Sequence, residues 1–111
     1  MRNMSFALTT EQIKNRTKTV TRRFGWWNLK AGDVVCAVEK GMGLKKGEKI
    51  KRLALLRIVR VSQDHLGDIT QDECIKEGFP NMSPNEFVKM IQDHYKCSDN
   101  NYMNRIEFEY I

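Results

Sequence analysis

The segment Lys18-Thr19-Val20-Thr21-Arg22-Arg23 concentrates side chains that bind anions. Arg22 and Arg23 carry guanidinium groups, which contact phosphate through paired hydrogen bonds and stack on the faces of bases. Trp26 and Trp27 follow closely, and one exposed indole ring would give a base a further surface on which to stack. The alternative is that both tryptophans lie in the core or cover it as a lid. These residue types predict contact with a nucleotide or a nucleic acid.

A glycine-rich and lysine-rich stretch over residues 39–51 is a second candidate binding surface. Three glycines and five lysines in this stretch are typical of a loop or a hairpin tip between two strands. Lys40, Lys45 and Lys46, together with Lys49 and Lys51, would meet a phosphate backbone as point charges. The alternative is a hairpin tip whose lysines only keep the protein in solution.

The charge of the chain is divided unevenly between its two halves. Residues 1–60 carry 15 Lys and Arg against 4 Asp and Glu, a balance of +11, whereas residues 61–111 carry 4 against 10, a balance of −6. The net charge of +5 therefore conceals one strongly basic half, and such a half attracts polyanions. The alternative is that the two halves neutralise each other across the fold.

Length and composition predict one folded domain that spans residues 1–111. Apolar residues make up 41% of the chain, which is enough for one compact core, and no apolar run has the length of a membrane helix. Three widely spaced cysteines and a poor signal-peptide pattern predict a reducing, cytoplasmic location and no membrane contact. The spacing of cysteines and histidines predicts no metal site, and no cofactor is expected.

Alternating and β-branched apolar residues predict the strands. Met4, Phe6 and Leu8 alternate with small or polar residues, which indicates a first strand. Thr9 and Gln12 have capping-box spacing, so we expect a short surface helix to begin there. Further strands are predicted at residues 17–24, 34–38, 52–62 and 106–110, with a loop at residues 63–68.

Two capping signals predict helices in the second half of the chain. Thr70 with Glu73 marks one start, and Ser83 with Glu86 marks another, where Pro84 occupies the first helical position. The core-facing stripe of the later helix consists of Phe87, Ile91 and Tyr95. Many strands with few helices predict an α+β fold, a small mixed β-barrel with two to three flanking helices.

Five short motifs follow one another with a recognisable order and spacing. They are Thr17-Lys18-Thr19-Val20-Thr21-Arg22-Arg23, Lys30-Ala31-Gly32-Asp33-Val34-Val35, Lys76-Glu77-Gly78-Phe79, Glu86-Phe87 and Arg105-Ile106-Glu107-Phe108-Glu109-Tyr110. In these motifs the chain resembles the ASCH domain family, which is related to the PUA RNA-binding domains. The likeness is greatest to the short, stand-alone ASCH proteins of bacteria and their phages.

The resemblance implies a PUA-like barrel with a basic cleft that binds RNA or a modified nucleotide or nucleoside. One bacterial branch of the family is an amidohydrolase that removes the acetyl group from N4-acetylcytidine. Its proposed lysine, threonine and glutamate match Lys18, Thr21 and Glu77. Binding is therefore the first functional hypothesis, a small amidohydrolase is the alternative, and a non-catalytic phage or host interaction protein is the third. The oligomeric state stays open.

The hydrolase alternative places two physical demands on the matched residues. Thr21 is a nucleophile only if a base removes its proton, and Lys18 is a base only as a neutral amine. Burial favours the neutral amine, whereas a nearby Glu77 carboxylate favours the ammonium. Side chains alternate along a strand, so Lys18 and Thr21 reach one site only if Lys18 precedes the strand or lies at a bulge.

Overall fold

A computed structural model of the chain describes residues 1–41 and 43–111. Within these residues the strands are Arg2–Ser5 (β1), Val20–Arg23 (β2), Val34–Val38 (β3), Arg52–His65 (β4) and Tyr102–Tyr110 (β5). The α-helices in the same ranges are Thr10–Lys14 (α1), Gln71–Lys76 (α2) and Pro84–Tyr95 (α3), and short 3-10 turns span Ala7–Thr9 and Leu66–Asp68. The α+β class predicted from the sequence, with two to three helices, is confirmed.

The strands form one mixed sheet that curls into a half-barrel. Their order is β1-β3-β4-β5-β2, in which β1 runs parallel to β3 and every other neighbouring pair is antiparallel. The two edge strands are linked by a side chain, because Arg23 Nη2 donates a 2.5 Å hydrogen bond to the backbone oxygen of Ser5. This contact joins the end of β1 to the end of β2, next to the candidate site.

The apolar side chains form two clusters, one inside the half-barrel and one under the helices. Burial of apolar surface on this scale is the main stabilising contribution to a domain of this size. The inner cluster contains Met4, Phe6, Ile13, Leu29, Val35, Ala37, Leu56, Ile58, Ile106 and Phe108. The second cluster packs the helices against the start of β5 and contains Leu66, Ile69, Cys74, Phe87, Ile91 and Met103.

Three local predictions from the sequence are wrong in detail. Leu8 does not continue the first strand, because the chain turns into a 3-10 helix after Phe6 and leaves Leu8 52% exposed. Thr9 precedes α1 without a side-chain cap hydrogen bond. The first half of the predicted loop at 63–68 belongs to β4, whose cross-strand pairing with β5 continues as far as His65 opposite Tyr102, and the second half is the 3-10 turn Leu66–Asp68.

Other local predictions are confirmed at the level of single contacts. The Ser83 hydroxyl accepts from the backbone N–H of Glu86, and the Glu86 side chain accepts from the backbone N–H of Ser83, so a full capping box begins α3. The basic stretch links β3 to β4 as a hairpin connection, although Met42 within it lies outside the described residues. Within residues 1–41 and 43–111, no helix has the length and apolar character needed to span a membrane.

Candidate functional site

The start of β2 and the end of α2 meet and bring Lys18 close to Glu77. The backbone N–H of Thr19 donates to the backbone oxygen of Lys76 at 2.8 Å, which fixes the two segments side by side. Gly78 follows with φ +99°, and a Cβ there would lie 2.7 Å from a side-chain carbon of Gln12. Only glycine satisfies both conditions without a rearrangement, so Gly78 permits this close approach.

Lys18 precedes the first residue of β2, which satisfies the geometric condition for sharing a site with Thr21. β2 begins at Val20, so the strict alternation of the strand does not apply to Lys18. Lys18 and Thr21 line the same cleft, together with Glu77, and their exposed fractions are 2%, 4% and 3% respectively. The structure therefore brings the three matched residues together at one site.

The Lys18 amine is held by two hydrogen bonds to one residue. Its Nζ donates to Glu77 Oε1 at 2.7 Å and to the Glu77 backbone oxygen at 2.8 Å. Burial lowers the pKa of Lys18 below its ordinary value, although the Glu77 carboxylate acts in the opposite direction. Of the two opposed effects expected from the sequence, desolvation is the larger. An ammonium has three N–H donors, so one remains for a group in the cleft.

Arg22 is buried and pairs with carboxylates, so its surroundings differ from those expected of a phosphate-binding surface arginine. Arg22 Nη1 donates to Glu77 Oε2 at 2.9 Å, and Nη2 donates to Glu73 Oε1 at 2.9 Å. Glu73 in turn accepts hydrogen bonds from Arg105, which also binds Glu107. A continuous chain of alternating charges therefore runs from Lys18 across the sheet to β5.

Glu73, at the centre of this series of charges, is expected to make the stability of the protein sensitive to acid. The hydrogen bond from Arg105, supported by Arg22, lowers the pKa of Glu73 from an ordinary 4.5 to about 2. A carboxyl with a depressed folded-state pKa stabilises the protein fully above its unfolded pKa and loses that contribution as the pH falls. We expect roughly 3 kcal/mol of stability to be lost between pH 4.5 and 2 on this account.

Urea unfolding of the wild type and of Glu73→Gln across that pH range measures this loss. The free energy of unfolding of the wild type should fall more steeply with acid than that of Glu73→Gln. Glu109→Gln is the matched control, because Glu109 is 54% exposed and pairs with an exposed Arg57. Parallel curves for the wild type and Glu73→Gln would contradict the assigned role of the Arg105 and Arg22 contacts.

The Thr21 hydroxyl is oriented by the neighbouring arginine in the same strand. Arg23 Nε donates to Thr21 Oγ1 at 3.1 Å, while its Nη2 is held by Ser5 and its guanidinium lies 4.6 Å from the centre of the Phe6 ring. Burial lowers the pKa of Arg23, and the charges of Tyr95 and Glu77 act in the opposite direction and offset part of this effect. The threonine oxygen thus has a fixed donor on one side and the cleft on the other.

The cleft has a volume of about 440 Å³, and its lining is mostly apolar. The walls come from the turn after β1, from the segment after α2 and from one face of α3. The helical pattern predicted core positions for Phe87, Ile91 and Tyr95 and did not indicate His94, which also lines the cleft. The only feature of the sequence that could have indicated His94 is its position next to Tyr95, the last residue of the apolar stripe. The wall residues are Phe6, Ala7, Leu8, Thr9, Phe79, Phe87, Met90, Ile91, His94 and Tyr95.

Of the predicted binding lysines and tryptophans, one lysine lines the cleft and the others do not. Lys40 lines it, whereas Lys45 and Lys46 are exposed in the connection between β3 and β4. Trp26 is half-buried against the inner core with the Arg2 guanidinium 5.1 Å from its ring centre, and Trp27 is 61% exposed. Neither tryptophan is among the residues that line the cleft.

Solved structures show the same arrangement of strands and helices. An ASCH domain from Lactobacillus crispatus matches with a TM-score of 0.73 at 12% identity, covering 98% of this chain and 78% of that chain. The chain has the ASCH-domain fold. This result confirms the fold predicted by the resemblance of the motifs.

Two further solved structures share the ASCH-domain fold with this chain. A protein from Enterococcus faecalis assigned to the family DUF984 matches with a TM-score of 0.72 at 12% identity, covering 100% of this chain and 76% of that one. The hypothetical protein PH0355 matches with a TM-score of 0.64 at 18% identity, covering 99% and 96%. Neither the protein-family models nor the curated proteins give a match.

Proposed function

We propose that the cleft of this ASCH-fold protein binds an acylated pyrimidine nucleoside of the N4-acetylcytidine type and hydrolyses its amide. One observation carries the proposal: Lys18, Thr21 and Glu77 are almost completely buried and meet at a single cleft. Buried titratable groups that converge in a cleft are typical of catalytic sites. The apolar walls suit the flat face of a base, and the volume of about 440 Å³ lies within the range of small-molecule sites.

The first step transfers the acyl group from the base to the protein. Thr21 Oγ attacks the acyl carbon, and its proton passes to the neutral amine of Lys18. The bond between the acyl carbon and the exocyclic nitrogen then breaks, and the Lys18 ammonium returns the proton to the leaving amine. Atoms and charges balance: the free nucleoside leaves, and an acyl ester remains on Thr21.

The second step releases the acid and restores the site. Water attacks the Thr21 ester, Lys18 accepts the proton of the water, and the threonine oxygen leaves with that proton. Glu77 positions Lys18 in both steps through its two hydrogen bonds. Arg23 donates to Thr21 Oγ1, so its guanidinium lies beside the attacking oxygen and stabilises the negative charge that develops there as the threonine proton leaves.

The direct test is to mix the purified protein with N4-acetylcytidine and follow the absorbance as the acetyl group is lost. The proposal expects conversion to cytidine and acetate in equal amounts, with the rate proportional to enzyme concentration. An acetylated adenosine serves as the matched substrate control, because its base is a purine. A wild-type protein that leaves N4-acetylcytidine unchanged would overturn the proposal.

A second candidate function, binding of single-stranded RNA, is favoured by the exposed lysines of the connection between β3 and β4 and by one exposed indole. Lys40 lies at the cleft, Lys45 and Lys46 extend from the same connection, and Trp27 offers an exposed ring. Such a surface would hold phosphates while a base entered the cleft. In this function Arg22 makes no contribution to phosphate binding, because carboxylates already occupy its guanidinium.

RNA binding of this kind predicts a strong dependence on salt. Changing Lys40, Lys45 and Lys46 together to alanine should weaken the binding of a short single-stranded RNA and reduce its salt slope by about 2, since each phosphate contact contributes about 0.7. Lys89→Ala is the control, because Lys89 is an exposed lysine on α3 that pairs with Asp93. Binding that is absent, or that has the same salt slope in the triple variant, would exclude this surface.

A further inference from the structure

Glu77 shares its two carboxylate oxygens between two different cations. Oε1 accepts from Lys18 at 2.7 Å, and Oε2 accepts from Arg22 at 2.9 Å. We propose that Arg22 is a positioning residue that keeps Glu77 paired, so that Lys18 can give up its proton without leaving a buried carboxylate unpaired. This inference rests on the proposed hydrolase function, in which Lys18 must act as a neutral amine.

The contacts of Arg22 fit a fixed cation rather than a mobile surface arginine. Its side chain is 2% exposed, and its second nitrogen is held by Glu73 at 2.9 Å. Glu73 is itself held by Arg105, which lies on β5 opposite Arg22 in the cross-strand register. A guanidinium stays protonated at every pH at which proteins are folded, so Arg22 is a permanent partner for Glu77.

The contacts of Glu77 show why this matters for Lys18. Removing one partner of a buried pair is normally costly, because it leaves an uncompensated charge. When Lys18 loses its proton, Glu77 Oε2 still accepts from the Arg22 guanidinium at 2.9 Å. The loss of the Lys18 proton therefore does not leave the Glu77 carboxylate unpaired.

The other charged or titratable groups near Lys18 lie on β2, on β5 and at the cleft. On β2, Arg23 acts with Arg22 to lower the pKa of Lys18, in addition to the larger effect of burial. From β5, the Tyr110 hydroxyl donates to the Lys18 backbone oxygen at 2.6 Å, and burial raises the pKa of Tyr110 to about 12. The exposed side chains of His94 on α3 and of Lys40 also line the cleft. Of these groups, only Arg22 binds the free oxygen of Glu77 directly.

The test is an NMR titration of protein labelled with ¹³C-lysine, in which the Lys18 signal is assigned by its absence from Lys18→Met. Two neutral variants, Arg22→Met and Arg22→Gln, remove the charge, and Arg22→Lys keeps it. In both neutral variants Glu77 must pair with Lys18 alone. The titration midpoint of Lys18 should therefore rise by about one pH unit, which makes the neutral fraction of Lys18 about tenfold smaller at a given pH below the midpoint. Arg22→Lys should return the midpoint toward the wild-type value.

A purely structural role for Arg22 would not move this midpoint. An unchanged or lowered midpoint in a neutral variant that keeps the wild-type circular dichroism spectrum would overturn the inference, and the use of two neutral variants allows for the loss of one to misfolding. The titration needs no substrate, so its result separates the two proposals. If the wild type turns over substrate but the Lys18 midpoint does not move in the neutral Arg22 variants, only the proposed role of Arg22 is excluded. A raised midpoint in a protein without turnover would support that role and remove only the hydrolase function.

Discussion

Replacing Lys18 with methionine is expected to lower kcat for N4-acetylcytidine by roughly 10²–10⁴-fold, the range typical of a lost general base. Methionine fills a similar volume, so the buried site should keep its packing while it loses the amine. Glu77 would retain Arg22 as its partner at 2.9 Å, which limits the structural damage. Steady-state kinetics of the purified variant measure the effect.

The pH dependence of the wild type gives the same prediction a second readout. Lys18 must be neutral to accept the Thr21 proton, so kcat should rise with pH up to the lowered pKa of Lys18 and then level off. Thr21→Val, which replaces the hydroxyl by a methyl group, should abolish turnover at every pH. Lys30→Met is the matched control, because it makes the same change at an exposed lysine. Unchanged kinetics in Lys18→Met and Thr21→Val would show that any hydrolysis happens elsewhere.

Replacing Glu77 with glutamine should destabilise the protein by about 3–5 kcal/mol, because it strips two buried cations of their shared carboxylate. Lys18 and Arg22 have exposed side-chain fractions of only 3% and 2%, so water cannot compensate for the lost charge. Domains of this size have a total stability of about 5–15 kcal/mol, so the loss would be a large share of it. Urea unfolding at neutral pH measures the change.

Two comparisons make this stability prediction specific to the buried position. Glu109→Gln removes a carboxylate from an ion pair whose partners are 54% and 49% exposed, and such pairs contribute at most about 1 kcal/mol. Lys18→Met should destabilise the protein less than Glu77→Gln, because it leaves the Arg22–Glu77 pair intact. Equal losses in Glu77→Gln and Glu109→Gln would contradict the description of the charge chain.

Several elements of the fold were predictable because their signals are local. The capping residues of α3 and the alternation of Ile106, Phe108 and Tyr110 in β5 lie within a few residues of one another. The start of α2 was also predictable, although its capping box is only half formed. Thr70 accepts from the Glu73 backbone, but the Glu73 side chain is engaged by Arg22 and Arg105 instead of the cap. The contacts of Glu73 with distant arginines thus prevent it from completing the capping box that the local sequence predicts.

The boundaries that were wrong depend on contacts between distant segments. β4 extends to His65 because β5 continues to pair with it, and the ring of His65 stacks on Tyr102 at 3.9 Å. The first strand ends before Leu8 because its partner β3 ends at Val38, whose backbone oxygen accepts a last hydrogen bond from the Phe6 N–H. Neither partner is close in sequence, so periodicity along the chain carried no signal for either boundary.

The candidate residues of the site and one geometric condition on them can be obtained from the sequence. The resemblance of two motifs to the ASCH family pointed to the three residues: the motif from Thr17 to Arg23 pointed to Lys18 and Thr21, and the motif around Gly78 pointed to Glu77. Strand alternation required that Lys18 precede the strand or lie at a bulge, and Lys18 precedes it. This condition could be predicted because alternation is a property of the local backbone, whereas the roles of the three residues come from the resemblance.

The role of each arginine in that segment depends on contacts that the complete fold brings together. Arg22 and Arg23 are neighbours of the same type, yet one is buried among carboxylates and the other orients Thr21 and joins β2 to β1. Their side chains alternate across the sheet, so each meets a different set of residues brought there by α2, β5 or β1. The environment of a charge, and therefore its role, depends on the burial and partners that the complete fold supplies.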